Sequence, residues 1–593
     1  MKSFFKTLLA CILGCIIASF IIFFITLGGI SALVSSSDKP VEVKPHSVLY
    51  IDLSGRLADR SYERNPYASS NFSDLMDLNL KVLGLNDVLK AIEYAKTDAN
   101  IDGIFIEQSG FGGGMATLEE VRNALIDFKQ SGKFILSHSD MYTQKSYYMA
   151  SVADRIYLTP EGGLMWSGLG GELKFYAKAF EKFGVNMQVI RHGKFKSAVE
   201  PFMLDKMSPE NREQNLTYMN SMWSHMLQGI SKERNISVED LNKYADNMEF
   251  SLMGFGGSQA IADKGMVDAL IYRDQVLDTL KMLTQLEPKD DIKSVDIKKY
   301  IRAIKPDPSK LREKNKIAVV YATGQINTGD GSEESIGSDK LSRTIRQARR
   351  DSSIKAIVLR INSPGGSALA SEVIWREVAL AKEVKPVVVS MGNVAASGGY
   401  YIAAPASAIV ANPTTITGSI GVFAAIPNVN KTYGKLGITF DHVGTNKHTT
   451  SPSVVGEPLT AEERAVIQNG VEQCYSTFIS HVAEGRGITT EQVDAIGQGR
   501  VWSGVNAKEI KLVDRFGGLK DAIALAAELA ELESYKITEL PKAKSMMEQM
   551  MSTLGQAKVS VELGEFSTIY NRIKSMVAEP GLQALLPYEI EIR

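Results

Sequence analysis

The sequence predicts an α/β protein made of two tandem copies of one βαβ unit, each with a helical extension, behind a single N-terminal membrane helix. Three observations lead there. Shifting the chain by 253 residues superposes two long stretches, short β-rich runs alternate with helical patterns inside each stretch, and Thr7 to Val34 carries no charged residue. The expected division is a tail, anchor and linker over 1–46, a first α/β copy over 47–286, a linker over 287–316, a second copy over 317–540, and a helical tail over 541–593 for packing or assembly.

Composition narrows the classes. The 593 residues are 44% hydrophobic and 23% charged, ordinary globular usage that excludes a disordered, collagenous or many-span membrane protein. Lys plus Arg number 66 against 68 Asp plus Glu, so no global basic field invites nucleic acid. Of three Cys, Cys11 and Cys15 lie in the apolar N-terminal run, which excludes a disulfide framework and a Cys-ligated zinc site. No metal or other cofactor is expected.

The 28 positions from Thr7 to Val34 would span roughly 42 Å as a helix, against about 30 Å of hydrocarbon. A cleavable signal has an apolar core of about 7–15 residues, and this run is nearly twice as long. Ile12-Leu13-Gly14-Cys15 faintly matches a lipoprotein processing site, but Ile16 to Leu27 continues the apolar run at once. Lys2 and Lys6 precede the span, which by the positive-inside rule leaves a short cytoplasmic tail and puts the body outside the membrane.

The repeat is the most informative feature. The single offset takes Ile101-Asp102-Gly103-Ile104 to Ile354-Lys355-Ala356-Ile357, Gly112-Gly113 to Gly365-Gly366, Tyr147-Tyr148 to Tyr400-Tyr401, and Pro160 to Pro413. Upstream, Tyr50 to Gly55 matches Val319 to Gly324 at offset 269, so the first copy carries a 16-residue insertion around Ser61 to Leu83. Within the second copy, Ile317–Tyr321, Ala356–Ile361, Pro386–Ser390 and Ala408–Ala411 read as strands between helical patterns at Lys340–Arg350 and Ser371–Glu383, giving a mostly parallel sheet. Helix-start signals follow each core, Ser208-Pro209-Glu210 in the first and the capping box Thr460-Ala461-Glu462-Glu463 in the second.

Two segments of the second copy carry chemistry. Arg360 to Gly366 ends a strand in Ser-Pro-Gly-Gly, where glycine permits backbone conformations that aim N–H groups inward, as an oxyanion hole requires. About 30 residues on, Ser397 stands among Ala396, Gly398 and Gly399, directly after a strand and at a helix start, where its hydroxyl is approachable. Either segment alone could be a plain turn or close helix packing; together across a βαβ step they point to catalysis.

These segments resemble those of the signal peptide peptidase A (protease IV) family in its long, duplicated form, within the wider group of Clp protease and crotonase-like folds. The resemblance runs from the anchor through both copies to Leu586-Pro587-Tyr588. In a Clp-type arrangement a His would follow the Ser by about 25 residues, but Asn412 to Val422 contains none, and His192, His442 and His448 read as surface or packing residues. Position 397 falls on Gln144 of the first copy, and Lys196 falls on Thr449 of the second, so each copy lacks what the other has. Lys194 has a counterpart in Lys447 and so reads as structural. The resemblance assigns the general base to the Lys of Lys-Ser-Ala-Val-Glu-Pro-Phe, which is Lys196.

A free Lys near pKa 10.4 is neutral only about once in 2,500 at pH 7, so burial must lower it by roughly 2–3 units. Phe195, Val199 and Phe202 are the expected apolar neighbours, and Gly366 and Gly398, with Gly365 as a third candidate, the expected oxyanion donors. The resemblance further implies a membrane-anchored serine endopeptidase that cleaves remnant signal peptides at the extracytoplasmic face of the bacterial inner membrane, and a homotetramer. Two other readings stand beside it: a non-catalytic membrane scaffold, and a crotonase-like acyl-coenzyme A enzyme, which would need neither Ser397 nor an anchor.

Overall fold

The computed structural model describes residues 41–63, 81–107, 110–250, 257–305, 307–542 and 582–586, with five isolated positions between 13 and 21. The predicted span thus lies almost wholly outside the described residues, as do 64–80 of the insertion and 543–581 of the tail. Among the described residues no helix is long and apolar enough to cross a membrane.

Each copy is built on a parallel sheet with the same strand order. In the first, Ser47–Ile51, Ile101–Glu107, Phe134–Tyr142, Arg155–Leu164 and Ala269–Leu270 lie side by side in chain order. In the second, Lys316–Thr323, Ile354–Ser363, Val387–Ala396, Ala408–Ala411 and Arg515–Phe516 repeat the arrangement. The central strands are apolar almost throughout, because a parallel sheet is covered on both faces. The Ile354–Ser363 strand, for example, is buried at every position but two.

One difference from the expected division has a local cause. Ser294–Asp296, in the segment read as a linker, adds a parallel edge strand beside Ser47–Ile51, just as Lys536–Leu540 flanks Lys316–Thr323. Three residues with one buried apolar side chain, Val295, are too few to show an alternation in sequence. After each sheet comes a 26-residue helix, Pro209–Arg234 capped by the Ser208 hydroxyl and Ala461–Arg486 capped by a Thr460–Glu463 capping box. Each side-chain cap satisfies a backbone N–H that the first helical turn would leave unpaired.

The copies meet along a seam that is apolar with one buried ionic knot. Ala396, Ile416 and Val501 of the second copy belong to the same buried cluster as Tyr147, Trp166 and Met222 of the first. At its centre the fully buried Arg360 guanidinium lies 2.8 Å from both the Asp59 and Glu120 carboxylates of the first copy and donates to the Ser390 hydroxyl. The two carboxylates push its pKa up despite burial. Beside this knot Asn393 and Thr117 exchange two hydrogen bonds across the seam. A third sheet crosses the seam: Asn186–Arg191 of the first copy pairs antiparallel with Phe423–Asn428 of the second, and Gln583–Leu585 runs between Phe423–Asn428 and Gly365–Ser367. Within the tail expected to be helical, those three residues are therefore extended, because two open strand edges offer them backbone partners.

Candidate active site

Ser397 sits where the Val387–Ala396 strand turns into the Gly398–Ala403 helix, with φ 54° and ψ −116°. A non-glycine residue held there costs of order 1–3 kcal/mol and persists only where its surroundings over-determine it. Here the Ser397 N–H donates to the Gly418 carbonyl at 2.8 Å and the Ser397 carbonyl accepts from Tyr401 N–H at 2.8 Å. The turn is crowded by its neighbours: a Cβ on Gly398 would stand 2.7 Å from the Ser371 hydroxyl, and one on Gly399 2.7 Å from the Ser363 carbonyl. The small residues that read as space around Ser397 are thus required for the turn itself.

Lys196 arrives from the first copy, at the end of the loop that follows Asn186–Arg191. Its Nζ lies 2.8 Å from Ser397 Oγ, and 3.1 Å from both the Ser419 carbonyl and the Ser419 hydroxyl. The side chain is 0% exposed. Burial, with no carboxylate acting against it, holds its pKa well below the usual lysine value. A neutral amine has two N–H groups and one lone pair, which matches this setting: Ser419 accepts twice, and the lone pair faces the Ser397 hydroxyl.

The loop bearing Lys196 is pinned from several sides. Arg191 donates to the Lys196 carbonyl at 3.1 Å, and Gln214 donates to the Phe195 carbonyl and the Ser197 hydroxyl while accepting from Val501 N–H of the second copy. Glu200, fully buried, accepts from the Ser208 hydroxyl and the Asn211 amide. Two glycines form the slot: a Cβ on Gly499, at φ +84°, would stand 2.6 Å from Lys196 Cα, and one on Gly421 3.2 Å from Lys196 Cδ. Of the apolar neighbours expected, Val199 and Phe202 pack with Phe180, Val189 and Phe423 in the cluster under the cross-seam sheet, and Phe195 is buried.

Gly365 and Gly366 both take positive φ, +97° and +156°. The Gly365 N–H donates to the Ser363 hydroxyl at 3.1 Å, whereas Gly366 stands opposite Ala584 in the antiparallel ladder with Gln583–Leu585. A Cβ on Gly366 would fall 2.0 Å from the Ile326 carbonyl and one on Gly365 2.7 Å from Gly398 N, so the three glycines crowd into one corner.

The histidines stand elsewhere. His192 pairs with Glu472 and stacks on Tyr475, His448 pairs with Glu463, and His442 is exposed. Lys194 is exposed with its ammonium over the Phe195 ring. Sequence reasoning missed Ser419, Gly421 and Gly499. The first two lie in Gly418-Ser419-Ile420-Gly421, within the stretch scanned for a histidine, and what stands there is a hydroxyl and a carbonyl that hold an amine, roles without a sequence pattern of their own.

Comparison with known proteins now bears on this geometry. The model of peptidase family S49 matches residues 127–287 and 379–533, one segment in each copy. The chain is 36% identical to Protease 4 of Salmonella typhi over 86% of this chain and 83% of that protein. It is 34% identical to Protease 4 of Haemophilus influenzae over the same shares. It is 30% identical to the chloroplastic serine protease SPPA of Arabidopsis thaliana, over 91% of this chain and 78% of that one. Among solved structures, a ClpP1 mutant of Listeria monocytogenes aligns with 35% of this chain and 94% of its own at 17% identity, with a TM-score of 0.24, too low to bear on the fold.

Proposed function

The chain belongs to peptidase family S49 and is a serine peptidase; from that premise we propose that Ser397 is its nucleophile, Lys196 its general base, and Gly366 and Gly398 its oxyanion donors. The observation that carries the proposal is the 2.8 Å approach of a fully buried amine to a hydroxyl held on a strained turn.

The steps follow from those atoms. Neutral Lys196 accepts the Ser397 proton as Oγ attacks the peptide carbonyl carbon, while Ser419 keeps the amine aimed. The oxygen that becomes negative faces the Gly366 and Gly398 N–H groups, fixed before reaction by backbone that admits no side chain. The ammonium then gives its proton to the leaving amine, and water releases the acyl group through the same base. Because Lys196 lies in a water-poor seam, each of these charge changes is felt more strongly than it would be at a surface.

We read the substrates as remnant signal peptides and other apolar peptides, met at the extracytoplasmic face of a bacterial inner membrane by a chain anchored through residues 7–34. The uncharged run and the lysines before it support the anchoring, and the likeness to signal peptide peptidase A supports the substrates and assembly into a homotetramer. A serine-directed phosphonate tests the chemistry: it labels Ser397 in the native chain and fails to label the Lys196→Ala variant. Absence of labelling in the native chain would favour a non-catalytic scaffold instead.

A further inference from the structure

Arg500 stands one residue past Gly499, and its guanidinium is held between two aromatic rings, one from each copy. The guanidinium carbon lies 4.6 Å from the ring centroid of Phe195 and 4.5 Å from that of Trp502. One of its nitrogens reaches the Glu213 carboxylate at 2.8 Å, but Glu213 is more than half exposed, so that pair holds little. Nε is buried and has no hydrogen-bond partner among the described residues. A fold seldom leaves a buried donor so, and stacking on both faces is what keeps this group in place. The two rings lead to the two halves of the site. Phe195 directly precedes Lys196, and its N–H donates to the Gln498 carbonyl at 3.0 Å. Trp502 covers Gly418, where a Cβ would stand 2.7 Å from the indole ring, and the Gly418 carbonyl holds the Ser397 N–H. The Arg500 carbonyl itself accepts from Ser419 N–H at 2.7 Å, and Ser419 holds the amine.

The repeat singles out the same residue. The helix Gly504–Glu509 answers Ser258–Asp263 of the first copy at an offset of 246. The same offset takes Asp514, which accepts from Ile409 N–H, to Asp268, which accepts from Ile156 N–H. Carried four residues upstream of the helix, it sets Arg500 on Gly254 and Trp502 on Gly256. The copy without a nucleophile thus has neither the cation nor the second ring. We propose that Arg500 is a positioning residue for the reaction: clamped between Phe195 and Trp502, it holds the Lys196 loop against the turns of Ser397 and Ser419 and keeps water from the amine. This inference rests on the dyad proposed above. The partners of Arg500 are Phe195, Trp502, Glu213 and Ser419, so it acts through them rather than on substrate. A lysine cannot take its place, because an ammonium has no plane to lie against two rings and draws its hydration into the seam.

The test compares the native full chain in detergent with Arg500→Lys, Arg500→Ala and Trp502→Leu. It reads kcat and KM on a peptide substrate across pH, melting temperature, and phosphonate labelling of Ser397. Arg500→Lys and Arg500→Ala should each lower kcat by about 10- to 100-fold with KM little changed. With water admitted beside the amine, the acidic limb of the kcat/KM profile should move to higher pH. Millimolar guanidinium ion should restore part of the lost kcat to Arg500→Ala, and ethylammonium should not. Trp502→Leu, which leaves the guanidinium one ring, should move the profile the same way by less; it and Arg500→Lys carry the comparison if Arg500→Ala does not fold. Native kcat and a native pH profile in Arg500→Lys overturn the inference and leave the dyad standing. So does a set of variants that melt lower while their pH profiles stay in place. A native chain that does not label removes the dyad, and this positioning role with it.

Discussion

The two copies present the same backbone and opposite chemistry, and the clearest contrast is at positions 397 and 144. In the second copy the turn holds Ser397 against the amine of Lys196. In the first, Gln144 is buried at that place, and its side-chain oxygen accepts from Ser167 and Gly168 N–H at 2.8 and 2.7 Å while its amide donates to the Gly168 carbonyl. By the repeat offset Ser167 and Gly168 correspond to Ile420 and Gly421, the lining of the lysine slot. One side chain thus plugs in the first copy the space that two reactive side chains share in the second.

The contrast is mirrored at positions 196 and 449. The lysine-bearing stretch of the first copy is buried against Ser419, Gly421 and Gly499 of the second, whereas the matching stretch of the second copy stands in solvent, with Val443 97% exposed and Thr449 also exposed. Burial of an amine is set by what covers the loop, not by the loop's own sequence. A duplicated fold can therefore build one deep site by letting each copy specialise, where a single copy would have to supply nucleophile, base and cover together.

The largest effect that tests this division is removal of either partner. Ser397→Ala and Lys196→Ala should each lower kcat/KM on a peptide substrate by at least ~10³-fold, with circular dichroism and oligomer size unchanged; substantial activity in either variant would break it. Next comes the slot. Gly499→Ala places a Cβ 2.6 Å from the Lys196 backbone at a positive φ, and kcat should fall by about 10²-fold, since displacing a positioned group by an ångström costs about that much. A variant with native kcat would show that Lys196 does not need this position.

A third effect concerns pH. The folded pKa of Lys196 is lowered, so between that value and the unfolded one near 10.4 the unfolded chain binds a proton the folded chain does not, and stability rises with pH across that window. Lys196→Met, close in volume and uncharged, should melt at a higher temperature than the native chain at neutral pH, with the difference shrinking toward pH 10.4. The native kcat/KM should fall as pH drops below the lowered pKa and Lys196 gains its proton. A Tm difference that stays flat with pH would mean the lysine is charged in its seat. The smallest effect lies in the first copy: Gln144→Ala should cost about 1–3 kcal/mol in denaturant titration, for buried N–H groups left without an acceptor, and change kcat/KM less than twofold.

How much of this could be read from the chain depends on what each residue contributes. The duplication was readable because one offset preserves apolar strand positions and paired tyrosines, and each copy matches the S49 model. Ser397 and Lys196 drew attention because their side chains have chemistry the opposite copy lacks. Ser419 contributes a carbonyl and a hydroxyl, and Gly499 contributes the absence of a Cβ; neither role leaves a pattern in sequence, because both depend on a partner some 200–300 positions away. Gln144 was noticed only as a missing serine, since nothing in its identity tells that its amide would knit two backbone groups. The Gln583–Leu585 strand was hidden by its surroundings: three residues cannot display a period, and the sequence around them reads as a helical tail.

Lys196 and Ser397 lie 201 positions apart, and that interval has a meaning in time as well as in space. As the ribosome delivers the chain, the amine emerges first, in a half that has no nucleophile and whose equivalent pocket is plugged. The hydroxyl follows, but the slot that deprotonates the amine needs Gly499, made about a hundred residues later still. Under the dyad proposed above, no chain made only as far as Ser397 holds the complete set. Cleavage by that dyad waits until Gly499 is made, an ordering set by nothing more than which copy keeps which residue.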